Sequence, residues 1–379
     1  MENKLTHQRL ESLDMLRGFD LFMLVAIEPI LRVLKNVLQS PSLEPVMRQF
    51  GHCEWEGFLM WDLVMPLFLF MAGVSMPFSL SKYKYEDDKS LVYFRIIRRV
   101  LLLWLLGAVC QGNLLAFDPY TFRFYSNTLQ AIAAGYLIAS MVYLHFKVQW
   151  QVVISVALLL IYWAVMMFAG SGDYGRGNFT ADYNMSEWID RVVLGSWRDG
   201  VSWNADGSWA FSEGYRYTWI LSSLNFGVTV MTGLFAGTLL KSGLEAKQKA
   251  YYLLLIGAWL IFLGWLWGLQ MPIIKKIWSS SMVLFSSGMC FMLMGAFYYF
   301  IDYKNWKKGL GWLKFYGMNS ILAYMLMCVV NFSSVSKSFL HGMEQFFGGY
   351  YPVLIATSNA AIVFVILMIL YRKNIFLRV

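Results

Sequence analysis

Residues 60–81 read MWDLVMPLFLFMAGVSMPFSLS, an apolar run with a single charge, Asp62, close to its start. A hydrocarbon core about 30 Å thick needs roughly 20 apolar helical residues per crossing. This run is long enough, and its apolar side chains go all the way round a helix, as in a segment surrounded by lipid or protein. Ten stretches meet the same requirement, near residues 16–36, 60–81, 98–116, 127–146, 151–169, 218–240, 250–269, 279–301, 315–333 and 352–371. The predicted fold class is therefore all-α: a polytopic membrane helical bundle of about 10 transmembrane helices.

Composition agrees. Over 379 residues, hydrophobic side chains make up 58%, aromatics 18% and charged residues only 14%. A soluble domain carries about 25% charged residues, so this chain has too few to cover a globule of its size. A disordered protein, a disulfide-stapled module and a soluble nucleic-acid binder are all disfavoured, despite the net charge of +8. Lys and Arg instead sort by the positive-inside bias. Placing the N-terminus in the cytoplasm puts the basic stretches Lys82–Arg99, Lys147, Lys241–Lys249, Lys304–Lys314 and Arg372–Arg378 on that side, and the C-terminus with them. Residues 1–15 are polar and the apolar run behind them is too long for a leader's core, so no cleavable leader is expected. The cysteines, Cys53, Cys110, Cys290 and Cys328, form no CxxC pair, and neither a disulfide framework nor a metal site is expected. The chain is predicted to form a single membrane domain over 1–379, with one large extracytoplasmic loop at 170–217. That loop is rich in Trp188, Trp197, Trp203, Trp209, Tyr174, Tyr183 and Tyr215, an aromatic belt or a surface on which sugar rings stack.

Ionisable groups at or inside spans are costly and propose a site. The first span opens SLDMLRG, with Asp14 and Arg17 three apart on one helix face and Asp20 a turn further in; Glu28 lies deeper. Before the second span stands FGHCEWEGFLMWD, where His52 and Asp62 are separated by a loop that Gly57 lets bend. An imidazole oriented by a carboxylate is a general base or a nucleophile, although a lone histidine is more often structural. MPIIKKIWSSS places Lys275 and Lys276 on the outer side against the charge rule, followed by Trp278 and Ser280, and FYGMNSILAY places Asn319 at the start of the ninth span. Taken singly these are snorkelling lysines and helix–helix hydrogen bonds. Together they are polar patches on several spans that could meet in one cavity.

The runs RLESLDMLRG, GHCEWEGFLMWDLVMP, PIIKKIWSSS and GMNS occur in this order from residue 9 to about 324. In that order the chain resembles the heparan-α-glucosaminide N-acetyltransferase family of multispanning acyltransferases, whose usual forms read R-x-x-S-x-D-x-x-R-G, H-x-x-W-N-G-x-x-x-x-D-L-V-F-P, P-I-N-K-x-L-W-T-S-S and G-M-N-S/P. The resemblance implies an enzyme, an acetyl-CoA-dependent N-acetyltransferase. It would carry an acetyl group from cytosolic acetyl-CoA, as co-substrate and without a metal, to the amino group of a terminal glucosamine-type saccharide on the outer side. Its catalytic histidine falls on His52 and its span-entry aspartate on Asp62. Glu28 stands where the family has an asparagine that assists the histidine, and is expected to share its cavity, as a second base for the amine or as a partner for a cationic acceptor; the alternative is a carboxylate that only reaches interfacial water. Asp14, Arg17, Lys275, Trp278, Ser280 and Asn319 are the expected partners of the acetyl-CoA, with Arg95, Arg98 and Arg99 as further phosphate partners. The other departures are Ala131 in the family's L-Q-R run and Ile274 in its P-I-N-K run. The lipid bilayer is the remaining partner, nucleic acid is not expected, a homodimer is allowed, and the implied location is a bacterial inner membrane. The competing classes are an O-acyltransferase of envelope glycans, a sugar transporter and a non-catalytic scaffold. A transporter would favour inverted repeats, and none is visible.

Overall fold

The computed structural model describes residues 10–39, 41–212, 214 and 217–377; Tyr215 of the aromatic loop lies outside them. The helices are α1 (Glu11–Phe22), α2 (Glu28–Leu38), α3 (Val64–Val74), α4 (Ser90–Cys110), α5 (Thr128–His145), α6 (Val148–Phe168) and α7 (Met185–Leu194). After a two-stranded antiparallel ribbon, β1 (Val201–Trp203) and β2 (Trp209–Phe211), come α8 (Ser222–Lys241), α9 (Ala246–Gly268) and α10 (Ser280–Phe297). The chain continues as α11 (Leu313–Met318), α12 (Ser320–Val329), α13 (Phe332–Leu340) and α14 (Tyr351–Arg372), with short single turns between.

The protein is a predominantly helical integral membrane protein. Seven helical stretches among the described residues are long and apolar enough to cross a membrane. Helix also occupies the three remaining stretches marked in the sequence, but these fall short for identifiable reasons. The helix through the first carries Asp14, Arg17, Asp20, Glu28 and Arg32, the helix through the third carries Arg95, Arg98 and Arg99, and the ninth is interrupted at Asn319. Between α1 and α2 the helix runs on through a π-helical turn, Met23–Ile27, a form of helix often found at functional positions.

The chain groups into two compact units. One takes the described residues up to Met47, with Gly243–Leu255 and residues from Phe291 onward. In it α1 lies against α11, backbone on backbone: a Cβ on Gly18 would fall 1.9 Å from the carbonyl oxygen of Leu313, and one on Gly317 1.9 Å from that of Asp14. Small residues permit this approach, which is how helices gain packing contact where lipid provides no hydrophobic drive.

The other unit, Arg48–Ser242 with Ile256–Cys290, carries the candidate site. Its centre is α8, packed against α3, α5 and α6. Gly73 of α3 and Gly233 of α8 make that crossing; an added Cβ would lie 1.9 Å from the oxygens of Val230 and Phe70 respectively. The described residues of 170–217 are folded rather than a loose loop. Glu187 of α7 pairs with the fully buried Arg198 and with Arg191, and Asp190 accepts the backbone N–H groups of Trp219 and Ile220 at 2.7 and 2.9 Å. Burial pushes the Asp190 carboxyl up to about 7, against those two donors and the Arg198 charge. The aromatic residues largely pack on each other: Trp203 meets Tyr120 and Trp209, and Tyr174 meets Tyr183, while Trp197, Trp209 and Tyr183 keep exposed faces.

Candidate functional site

Three chain segments meet at the N-terminal end of α3. The first is the loop 51–59, which turns at Gly57 with φ of +113°, a backbone conformation that favours glycine. The Gly57 N–H donates to the carbonyl of Ile273 at 2.8 Å, and Lys276 Nζ donates to the carbonyl of Glu54 at 2.6 Å, so the loop is tied to residues 271–279. Trp55 Nε1 donates to the carbonyl of Phe179 at 2.7 Å, tying the same loop to the folded piece above α6.

The second is the helical turn Met60–Leu63 that leads into α3 and carries Asp62, which is 1% exposed. Its Oδ2 accepts the backbone N–H of Leu59 at 3.0 Å and of Cys53 at 3.3 Å. A carboxylate at a helix start is stabilised by such donors and by the dipole. That leaves Oδ1 for side chains: His52 Nδ1 stands 2.8 Å from it and Lys275 Nζ 3.3 Å.

The third is 271–279. Ser279 accepts the N–H of Ile274 and donates to the carbonyl of Pro272, Ser281 donates to the same carbonyl, and the Ile277 carbonyl accepts from Tyr162 and Ser222. Trp278 adopts a left-handed φ of +52°, unusual for a bulky residue. It is over-determined there: Nε1 donates to Thr229 at 3.1 Å, its carbonyl accepts from Asn225 at 2.7 Å, and its ring meets Phe226 edge-on. This framework buries Lys275 beside His52, with Nζ 3.0 Å from Nδ1. Burial pushes the Lys275 ammonium down to about 8, although the Asp62 charge works the other way.

The imidazole itself is 44% exposed. With Nδ1 facing Asp62, the other ring nitrogen, Nε2, has no bonding partner among the described residues. Cys53, next in the chain, donates Sγ–H to the carbonyl of Glu56, and burial pushes its thiol up from the ordinary cysteine range. The Tyr217 hydroxyl is pushed up to about 12 by burial and by the field of Asp62. A supported imidazole with one free nitrogen can take a proton from an incoming nucleophile or attack a carbonyl itself.

Of the residues singled out in the sequence, the structure brings His52, Asp62 and Lys275 together. Trp278 and Ser280 lie in the same unit but face inward as packing groups, Ser280 Oγ donating to the carbonyl of Leu159 at 2.9 Å. Glu28, Asp14, Arg17 and Asn319 belong to the other unit. There Glu28 pairs with Arg32 one turn along α2. Asp14 is buried on α1, where Arg17 is half-buried. Asn319 clasps the C-terminal tail, its Nδ2 donating to the carbonyl of Ile375 and its Oδ1 accepting the N–H of Leu377, both at 3.0 Å. Arg95 bonds to the Tyr83 hydroxyl and Arg99 stacks over the Tyr136 ring at 4.3 Å.

One contribution is invisible in the sequence. The backbone donors of Cys53 and Leu59 leave no side-chain signal. Lys275 stands out in the sequence by its breach of the charge rule and is expected there as an acetyl-CoA partner; the structure pairs it with Asp62. Compared with family models and with curated proteins, the chain matches none.

Proposed function

We propose that the protein is a transmembrane acetyltransferase that passes an acetyl group from acetyl-CoA to the amino group of a glucosamine-type sugar. The observation that carries this is the pair His52–Asp62: a half-exposed imidazole held through Nδ1 by a buried, backbone-braced carboxylate, with Nε2 left open. The ordered motif resemblance gives the substrates.

Coenzyme A bears several phosphate charges and does not cross hydrocarbon, whereas an acetyl group can be handed on. An amine that reaches the site as an ammonium is no nucleophile until it loses a proton. His52 Nε2 accepts that proton during attack on the thioester, or takes the acetyl group first and yields it to the amine. Asp62 holds the tautomer and offsets the positive charge that forms on the ring, the role a carboxylate plays behind a catalytic imidazole. The proposed topology is ten spans with both termini in the cytoplasm, the 170–217 piece on the opposite side, and placement in a bacterial inner membrane. Labelling of single cysteines from each side checks it; a 170–217 piece labelled only from the cytoplasm contradicts it.

The activity test uses the purified full chain with isotopically labelled acetyl-CoA and glucosamine-terminated oligosaccharides, read by product mass. N-acetylated sugar formed by the wild type and not by His52→Ala supports the reading. Acetyl transfer to hydroxyls alone moves the protein to glycan O-acylation, and no transfer to any acceptor removes the enzymatic reading.

A further inference from the structure

Acyl transfer by His52 and Asp62 leaves Lys275 without a task, yet the structure buries it with care. Its side chain is 9% exposed, whereas lysine heads ordinarily reach water. Its neighbour Lys276 is spent on a backbone carbonyl. Nζ of Lys275 lies 3.0 Å from His52 Nδ1 and 3.3 Å from Asp62 Oδ1, so the three polar atoms form a closed triangle. A ring nitrogen has one in-plane position, holding either a hydrogen or a lone pair. With the hydrogen on Nδ1, that hydrogen faces two acceptors: the carboxylate, and the Nζ lone pair whenever Lys275 is an amine. An arginine would offer no lone pair there.

We propose that Lys275 takes the Nδ1 proton of His52 each time Nε2 gains an electrophile, and returns it when the electrophile leaves. This rests on the acyl-transfer reading and holds for either route. Nε2 bonds to a proton from the acceptor amine, or to the acetyl carbon while the carbon–sulfur bond breaks and its electron pair leaves with the coenzyme A sulfur. Either bond makes the ring cationic. The Nδ1–H bond then breaks, its electron pair stays in the ring, and the proton binds Nζ. The ring is neutral again and an ammonium stands beside the Asp62 carboxylate. Return of the proton restores the cationic, more reactive acyl-imidazolium or lets Nε2 release its own proton.

The surroundings suit the exchange. Burial and the neighbouring Lys276 charge bring the ammonium down to about 8, with Asp62 opposing, so the amine form is accessible close to neutral pH. The charged and titratable groups facing Lys275 are Asp62, His52 and Lys276, with the Tyr217 hydroxyl in the field of Asp62. Lys275 is thus a positioning and proton-holding residue that acts through His52.

Two readouts separate this relay from the reading it rests on. Competitive labelling of lysine amines by trace acetic anhydride, followed by peptide mass spectrometry, measures the titration of Lys275 in the wild-type protein without any activity. A midpoint near 8 is expected, moving lower in Asp62→Asn; an ordinary lysine midpoint of about 10.4 overturns the relay whatever the enzyme does. The second readout is the pH–rate profile of Lys275→Arg and Lys275→Met. Arginine keeps the cation beside Asp62 but takes no proton, so it should lose about 10²-fold in turnover together with the limb of the profile that Lys275 sets. Wild-type turnover and an unchanged profile in Lys275→Arg overturn the relay alone. Absence of acetyl transfer in the wild type overturns the acyl-transfer reading and the relay with it.

Discussion

Asp62 Oδ1 stands 2.8 Å from His52 Nδ1 while Oδ2 of the same carboxylate is tied to the backbone at Leu59 and Cys53. The carboxylate is thus immobilised by the main chain before it meets the imidazole. Its position does not depend on His52, and this sets the different outcomes expected at the two residues.

His52→Ala removes the ring from a half-exposed position and leaves the Asp62 braces in place. Acetyl transfer should fall by about 10²–10⁴-fold, the range for loss of a general base, with the melting temperature within a few degrees of wild type. Steady-state rates beside a thermal melt check it.

Asp62→Asn keeps the shape but removes the charge that faces both His52 and the buried Lys275. Breaking a buried ion pair on one side costs about 3–5 kcal/mol, so this variant should lose both turnover and stability. Denaturant unfolding in detergent measures the second loss; unchanged stability would mean that Lys275 sheds its proton or finds another counter-charge.

Glu28→Gln should behave differently. The Glu28 carboxylate is engaged by Arg32 one turn on along α2. Turnover within tenfold of wild type and an unchanged acid limb of the pH–rate profile are expected. A loss of about 10²-fold with a shifted acid limb would instead place Glu28 in the chemistry.

The sequence displayed the helical architecture because apolar runs long enough for a bilayer have few alternatives. It displayed His52 and Asp62 because polar groups at a span entrance stand out against such runs. It marked the segment 271–281 as a polar patch that could join the site, but not the path its backbone takes. The left-handed Trp278 and the serine–backbone bonds that set its path depend on Tyr162, Thr229 and Asn225, which come from distant helices. Nor did it show that Ser280 and Asn319 are occupied by the carbonyls of Leu159 and Ile375, since a hydroxyl or an amide in a span reads the same whether it meets a ligand or a backbone.

Asp190 offers a stability test away from the chemistry. Burial lifts its carboxyl from 3.8 to about 7, so the folded state holds its proton more tightly than the unfolded chain does. Its contribution is therefore fully present below the unfolded value and is lost as pH rises through about 7. Melting curves of the wild type should slope downward across that window, and Asp190→Asn should flatten the slope. An identical slope in both proteins would assign the pH dependence elsewhere.

The α3–α8 crossing predicts a strong packing effect. A side chain at Gly233 would drive a Cβ into the Phe70 carbonyl, 1.9 Å away. Gly233→Leu should cost at least the roughly 1–3 kcal/mol typical of overpacking, seen as lower yield of monodisperse protein on size exclusion.

Movement of an acetyl group by His52 from a thioester to an amine across a membrane is the step on which the proposed function stands. It is tested most directly in sealed proteoliposomes, with labelled acetyl-CoA on the side of the N-terminus and a glucosamine-terminated oligosaccharide confined to the other. N-acetylated sugar, with the label, is expected in the acceptor compartment of wild-type vesicles and none in His52→Ala vesicles. Labelled product at equal rates in both, or no product in either, would contradict it.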